Sequence, residues 1–115
     1  MEATAAGIAA LLLNKLPFMQ GANYTANIAR VLDSKKVSDH HAIIPTMELA
    51  KSDLAALPES ERNILTLAGV RLLTATAEPH IFEAVTAVFS CADREFTAKG
   101  KTVLCGGWKE LEARY

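Results

Sequence analysis

The pattern of apolar and polar positions divides the chain into a helical part and a part with strand-like alternation. Apolar side chains recur at helical spacing over residues 3–15, and the Leu16-Pro17 dipeptide ends this predicted helix. The strongest helical pattern covers residues 59–76, with an acidic first turn and an apolar surface wide enough to be buried on more than one side. Gly69, in the middle of this segment, predicts that another helix approaches closely there.

Two weaker helical patterns lie between these segments. Asn23 is suited to cap a second helix, which would bury four side chains: Tyr24, Ile28, Val31 and Leu32. Residues 33–39 are polar and charged and predict a connection. Residues 47–57 are mixed and predict a short helix that begins near Ser52-Asp53.

The spacing of apolar residues changes from helical to strand-like after Glu78-Pro79. Residues 80–91 are rich in β-branched and aromatic side chains, residues 92–94 predict a turn, and residues 95–104 predict a partner strand. Gly100 predicts a bulge or a close backbone approach in that strand. The fold class is therefore α+β, with an N-terminal helical part followed by an antiparallel β-hairpin. The predicted division is residues 1–78, residues 79–105, and residues 106–115 as the start of a following segment, of which residues 108–115 are expected to be a loose or helical tail.

Composition fits a folded domain and limits its partners. Half of the residues are hydrophobic and the formal net charge is −1. Local positive charge is confined to the Lys35-Lys36 pair and to Lys99 with Lys101, which predicts weak or no autonomous DNA binding. The apolar residues 5–13 are fewer than the ~20 that a membrane span needs, so no membrane association is expected and the cytoplasm is the expected location.

The two cysteines are too few for a disulfide framework or a four-cysteine zinc site. Cys91 and Cys105 lie at opposite ends of the predicted strand pair. We interpret them as small buried hydrophobic residues in a reducing compartment.

The candidate chemistry lies in a tandem histidine pair, His40-His41. Imidazole binds a proton near physiological pH, so two adjacent rings can donate hydrogen bonds to an anion such as a phosphate. The following Ile43-Ile44-Pro45 run cannot continue a helix, because the residue before proline is pushed to extended geometry. The pair is therefore predicted on a short extended segment, where a solvated pair without function is the competing interpretation.

The stretch Ser38-Asp39-His40-His41-Ala42-Ile43-Ile44-Pro45-Thr46 resembles the histidine motif of type IA DNA topoisomerases, particularly the topoisomerase III-like branch. Phe96-Thr97-Ala98-Lys99-Gly100-Lys101 is similar to the F-x-A-x-G-[KR] strand of that family, and Gly106-Gly107-Trp108 to its closing Gly-Trp. The resemblance extends from about residue 4 to about residue 112. It implies that the helices belong to the mobile, tyrosine-bearing domain of a ring-shaped enzyme and the strands to its arch.

The resemblance also implies a reaction. The parent enzyme cuts one strand of DNA through a tyrosine phosphodiester, passes a strand through the gap and reseals it, with Mg²⁺ bound by an acidic domain that this sequence lacks. His40 takes the first-histidine position, where it would donate to a phosphate near the scissile bond or fix an acidic partner. His41 would be a second donor and orienter. Single-stranded DNA is the implied partner, and no cofactor is expected within these residues.

The nucleophilic tyrosine motif of the family is absent, and neither Tyr24 nor Tyr115 lies in one. The chain is therefore expected to be an internal fragment that begins shortly after the catalytic tyrosine and is inactive alone. His80, beside Pro79 at a strand start, is interpreted as structural. Oligomeric state stays open.

Two other classes of protein compete with this interpretation. A winged-helix-like DNA-binding or protein-interaction module would need a row of basic and amide side chains on its recognition helix, and Arg62, Asn63 and Arg71 do not form one. A stand-alone hydrolase built on His40 and His41 lacks an accompanying serine or cysteine motif.

Overall fold

The computed structural model describes residues 2–115 and has the predicted α+β order. Three α-helices are present in it: α1 (Glu2–Lys15), α2 (Glu59–Thr76) and α3 (Trp108–Glu112). Strands β1 (Ile81–Cys91) and β2 (Arg94–Cys105) form an antiparallel hairpin between α2 and α3. Four short 3₁₀ helices connect α1 to α2: Pro17–Met19, Ile28–Val31, Met47–Lys51 and Leu54–Ala56. The division into pieces of different domains at residues 78 and 105 stays a prediction.

The core lies where α1, α2 and α3 meet. Its fully buried large side chains are Ile8, Leu12, Met19, Leu73, Thr76 and Leu111. Gly69 of α2 faces Leu12 of α1, and a Cβ atom built on the glycine would lie 2.6 Å from Leu12 Cδ2. A side chain at this position would push the core leucine aside, so the prediction of a close approach of another helix at Gly69 is confirmed.

The predicted second helix, with Asn23 as its cap, is wrong. Residues 22–27 have no regular structure, and only the 3₁₀ turn Ile28–Val31 follows, capped by Asn27 Oδ1, which accepts from Arg30 N at 3.3 Å. The backbone of this segment forms a hydrogen bond with a distant element: Asn27 N donates to Thr76 O of α2 at 2.8 Å. Tertiary contacts with the end of α2 thus replace the helical hydrogen bonds. Ile28 is buried as predicted, but Val31 and Leu32 are exposed.

Residues 47–57 form two short 3₁₀ turns rather than one helix. The second turn begins where the sequence indicated, since Asp53 Oδ1 accepts a hydrogen bond from Ala55 N at 3.0 Å. In α2, only the second half of the wide apolar surface is buried. Val70 and Leu73 belong to the core, whereas Ile64 and Leu67 of the first half are exposed.

The hairpin turn consists of two residues rather than three. Ala92 and Asp93 both have positive φ, 48° and 57°, as a type I′ turn requires. The prediction for Gly100 is wrong, because this residue pairs regularly with Val85 and has nothing within 4 Å of its Cβ position. The irregularity lies at the base instead: Ile81 pairs with Cys105 and the next residue of β1 pairs with Val103, which leaves Leu104 as the extra residue.

Nearly every residue of the hairpin is exposed to solvent. Cys91 is exposed, so its interpretation as a buried hydrophobic residue is wrong, and Cys105 is half-buried. Both thiols are free. The protruding strands give the molecule its length, with extents of 69 × 36 × 24 Å. None of the helices within residues 2–115 has the length and apolar character needed to cross a membrane.

Candidate functional site

The histidine pair lies on an exposed loop, residues 32–46, which has no regular structure. His40 and His41 are both exposed, as is Ile43, at 89% of its surface. The pair was predicted on a short extended segment, and the structure places it outside any helix or strand. The sequence of the loop explains this, because polar residues precede the pair and Ile44-Pro45 excludes the helical conformation after it.

Both ends of this histidine loop are fixed to the helical core. Before it, Ile28 is buried and Arg30 Nη1 donates to Ala77 O at the end of α2, at 3.4 Å. At its other end Pro45 is buried, and after the loop the Met47 side chain packs over Gly7 of α1, with Sδ 3.5 Å from the position of a Cβ atom there. An exposed segment held at both ends by a rigid scaffold is a common arrangement of binding loops.

The imidazole rings make few contacts of their own. His41 Nδ1 lies 3.4 Å from the carbonyl oxygen of Ala42, and His40 forms no hydrogen bond with any residue between 2 and 115. The cations of the loop differ: Lys36 Nζ pairs with Asp33 Oδ2 at 3.6 Å, whereas the Lys35 side chain has no carboxylate partner among the described residues. The loop therefore offers two imidazoles and one ammonium group to an anionic ligand.

Tyr24 lies in the segment before the loop and is unsuited to be a nucleophile. Its hydroxyl lies 2.6 Å from Thr76 Oγ1, a fully buried side chain at the end of α2. Burial raises the pKa of Tyr24, and the hydrogen bond with Thr76 opposes this shift only in part. The raised pKa makes the phenolate of Tyr24 harder to form. The hydrogen bond with Thr76 ties the segment before the loop to α2.

His80 lies at the base of the hairpin. Its Nδ1 donates to the carbonyl oxygen of Gly106 at 2.9 Å, because a carbonyl can only accept, and its ring lies 5.7 Å from that of Phe82. These contacts join the start of β1 to the segment after β2, which agrees with a structural interpretation of His80. Among residues 2–115 no group of three or more His, Cys, Asp or Glu side chains is arranged to hold a metal ion.

Sequence reasoning missed a cleft of about 830 Å³ between α1, the two 3₁₀ turns at residues 47–56, and α2. Lys15, Lys51 and Arg62 line it from three different elements. These residues are 36 and 11 positions apart along the chain, so no local charge cluster indicated that they meet. The packing of α1 against α2 and against the 3₁₀ turn Met47–Lys51 brings them to one cleft.

Comparison with known proteins gives one consistent family. A family model described as DNA topoisomerase matches residues 3–115. The DNA topoisomerase 3 of Bacillus licheniformis is 38% identical over 111 residues, an alignment that covers 87% of this chain and 15% of the relative. The DNA topoisomerase 3 of Bacillus subtilis is 40% identical over 80 residues, covering 70% of this chain and 11% of the relative. No solved structure gives a significant match.

The alignments cover most of this chain but only a small part of each relative. The chain spans about 15% or less of the length of the curated relatives it matches. Those relatives therefore possess long regions with no counterpart among the 115 residues of this chain.

Proposed function

Because the chain belongs to the DNA topoisomerase family, in the type IA, topoisomerase III-like branch, we propose that it is an internal segment of an enzyme that relaxes or decatenates DNA. The enzyme would cut one strand through a phosphotyrosine intermediate, pass a strand through the gap and reseal the cut. The observation that carries the proposal is the match over residues 3–115 together with the histidine pair on an exposed, anchored loop. Its bacterial relatives favour the cytoplasm as the site of action, since bacterial DNA lies there.

The role proposed for His40 is electrostatic. Cleavage by a tyrosine hydroxyl concentrates negative charge on the oxygens of the scissile phosphate, and a preorganised donor there lowers the barrier. A protonated imidazole would supply a charge-assisted hydrogen bond to such an oxygen. His40 is exposed and free of hydrogen bonds within residues 2–115, so no internal contact would have to be broken before it meets DNA. His41 would orient the loop or the phosphate from the next position.

The tyrosine and the Mg²⁺ of the reaction are assigned to the rest of the parent enzyme. Tyr24 is held by Thr76 and Tyr115 lies outside any tyrosine motif, so neither is suited to attack a phosphate. When bound, Mg²⁺ would supply positive charge near the scissile phosphate.

The exposed hairpin supports membership of a larger protein. Antiparallel pairing places Phe89 opposite Phe96 and Ala87 opposite Ala98 on one face, and each of the two phenylalanines is 57% exposed. An isolated two-stranded hairpin is at best marginally stable in water. We infer that this face packs against further strands or domains of the parent enzyme.

We expect the 115-residue chain alone to leave the topoisomers of a supercoiled plasmid unchanged, with or without Mg²⁺, because it holds neither a suitable nucleophile nor a metal cluster in the described residues. The full-length enzyme assayed in parallel should relax the same plasmid. The measurement is gel separation of topoisomers after matched incubation. Relaxation by the chain alone would contradict the division of roles, and inactivity of the full-length enzyme would contradict the proposed function.

A further inference from the structure

The cleft between α1 and α2 carries a concentration of positive charge that the chain as a whole lacks. Lys15 comes from the end of α1, Lys51 from the end of the 3₁₀ turn Met47–Lys51, and Arg62 from the first half of α2. Within residues 2–115 none of the three forms an ion pair. The formal net charge of the whole chain is −1, so this cleft departs from the overall balance.

Asp53 supplies the one side-chain carboxylate of the same lining, so three cationic side chains face one anionic side chain. Asp53 Oδ1 accepts a hydrogen bond from Ala55 N at 3.0 Å and so caps the second 3₁₀ turn. Lys15 Nζ donates to Ser52 O at 2.7 Å, which holds its ammonium group on the wall of the cleft. The arrangement leaves an unbalanced positive charge on a preorganised surface, and such a surface favours an anionic occupant.

The rest of the lining is not that of a site for a small anion. Leu16 and Leu54 give an apolar lining together with Phe18 and Tyr115, whose ring centroids lie 6.0 Å apart. Asn63 and Thr66 add hydrogen-bonding side chains beside Arg62 on α2. The volume of about 830 Å³ exceeds what an inorganic phosphate needs. Cations around an apolar lining that contains an aromatic ring fit a nucleotide chain, whose phosphates take the charges and whose bases lie on the ring.

We propose that this cleft binds a short stretch of single-stranded DNA, with Lys51, Arg62 and Lys15 against phosphates and a base on Phe18. The proposal rests on the proposed function for the choice of DNA as the anion. It adds a second DNA contact to that of the histidine loop, formed by residues that belong to no motif of the sequence. Because only two or three cations take part, binding by the chain alone is weak and its dependence on salt is shallow.

The test is fluorescence anisotropy of the 115-residue chain with a labelled 12-nucleotide oligothymidylate, from 25 to 150 mM salt. The test variant is K51Q with R62Q, and the matched control is K99Q with K109Q, which removes the same charge away from the cleft. We expect the cleft variant to bind roughly 10-fold more weakly, with the salt slope reduced by about 0.7 for each lost phosphate contact. We expect the control to stay within about twofold of the wild type.

Three results would overturn the proposal: no binding by the wild type at 25 mM salt, equal losses in the two double variants, or equal competition by a 12-residue glutamate peptide, which would identify an acidic peptide as the occupant. Circular dichroism checks that both variants fold. If the cleft variant does not fold, photo-cross-linking of 4-thiothymidine DNA to the wild type decides: adducts at residues 15–18 or 51–55 support the cleft, and adducts only elsewhere refute it. If the cleft does not bind DNA, the full-length wild-type enzyme should still relax plasmid. Failure of the cleft proposal is therefore separable from failure of the proposed function.

Discussion

Replacing His40 by alanine in the full-length enzyme is expected to slow plasmid relaxation roughly 10- to 100-fold, which corresponds to about 1.5–3 kcal/mol for one charge-assisted donor. The loss should appear in cleavage or DNA binding and not in folding, because His40 is exposed and forms no hydrogen bond within residues 2–115. Relaxation rate and melting temperature of the same preparation separate the two effects.

Substitutions of the other two histidines serve as controls for His40→Ala. His41→Ala should have a milder effect on rate. His80→Ala should act through stability if at all, since His80 Nδ1 donates to Gly106 O at the base of the hairpin. If His40→Ala and His80→Ala both have small and equal effects on the relaxation rate, at unchanged melting temperature, the histidine pair is solvated and has no role in catalysis.

Gly107→Ala is expected to destabilise the 115-residue chain by about 3 kcal/mol or more. Gly107 has φ 55° and ψ −137°, a conformation that is accessible almost only to glycine. A Cβ atom there would overlap Pro79 O and lie 2.5 Å from Glu78 O, and both are backbone atoms that cannot rotate away. The same segment holds the hydrogen bond from Trp108 N to Glu78 O, at 2.9 Å, so the change would also loosen the hairpin base from α3.

Gly100→Ala is the matched control for Gly107→Ala, because it adds the same methyl group to a glycine in the adjoining strand. Gly100 has nothing within 4 Å of its Cβ position and no unusual φ, so its substitution should be neutral or slightly stabilising. Thermal or urea unfolding of both variants makes the comparison. Equal unfolding free energies for the two variants would show that the Gly107 backbone can relax without cost.

The elements that sequence predicted well are those whose hydrogen bonds are local. Helix α2 and the hairpin each follow one period over ten or more residues, and their own backbone groups satisfy one another. The prediction of a helix after Asn23 failed because a backbone hydrogen bond of this segment is not local. Asn27 N bonds to Thr76 O, about fifty residues away, and such a partner leaves no trace in local periodicity. The expectation for Cys91 failed because apolar composition implied burial, whereas the hairpin has no covering layer in the described residues.

Of the two candidate sites, one was predictable from local sequence and the other was not. The histidine loop was predictable because the motif is contiguous and Pro45 fixes the local backbone. The cationic cleft was not predictable, since Lys15, Lys51 and Arg62 lie on three elements that only tertiary packing brings to one cleft. Gly69 permits the close approach of α2 to α1 by its lack of a side chain. A local pattern could reveal the first site, and only the tertiary structure could reveal the second.

The central claim is that this chain is part of a topoisomerase that cuts DNA through a tyrosine supplied from elsewhere in the enzyme. The most direct measurement is to trap the full-length enzyme on a labelled single-stranded oligonucleotide with detergent and to identify the adducted peptide by mass spectrometry. We expect a covalent adduct on a tyrosine other than Tyr24 and Tyr115. An adduct on either of these two residues, or no adduct under conditions in which the enzyme binds the oligonucleotide, would contradict the claim.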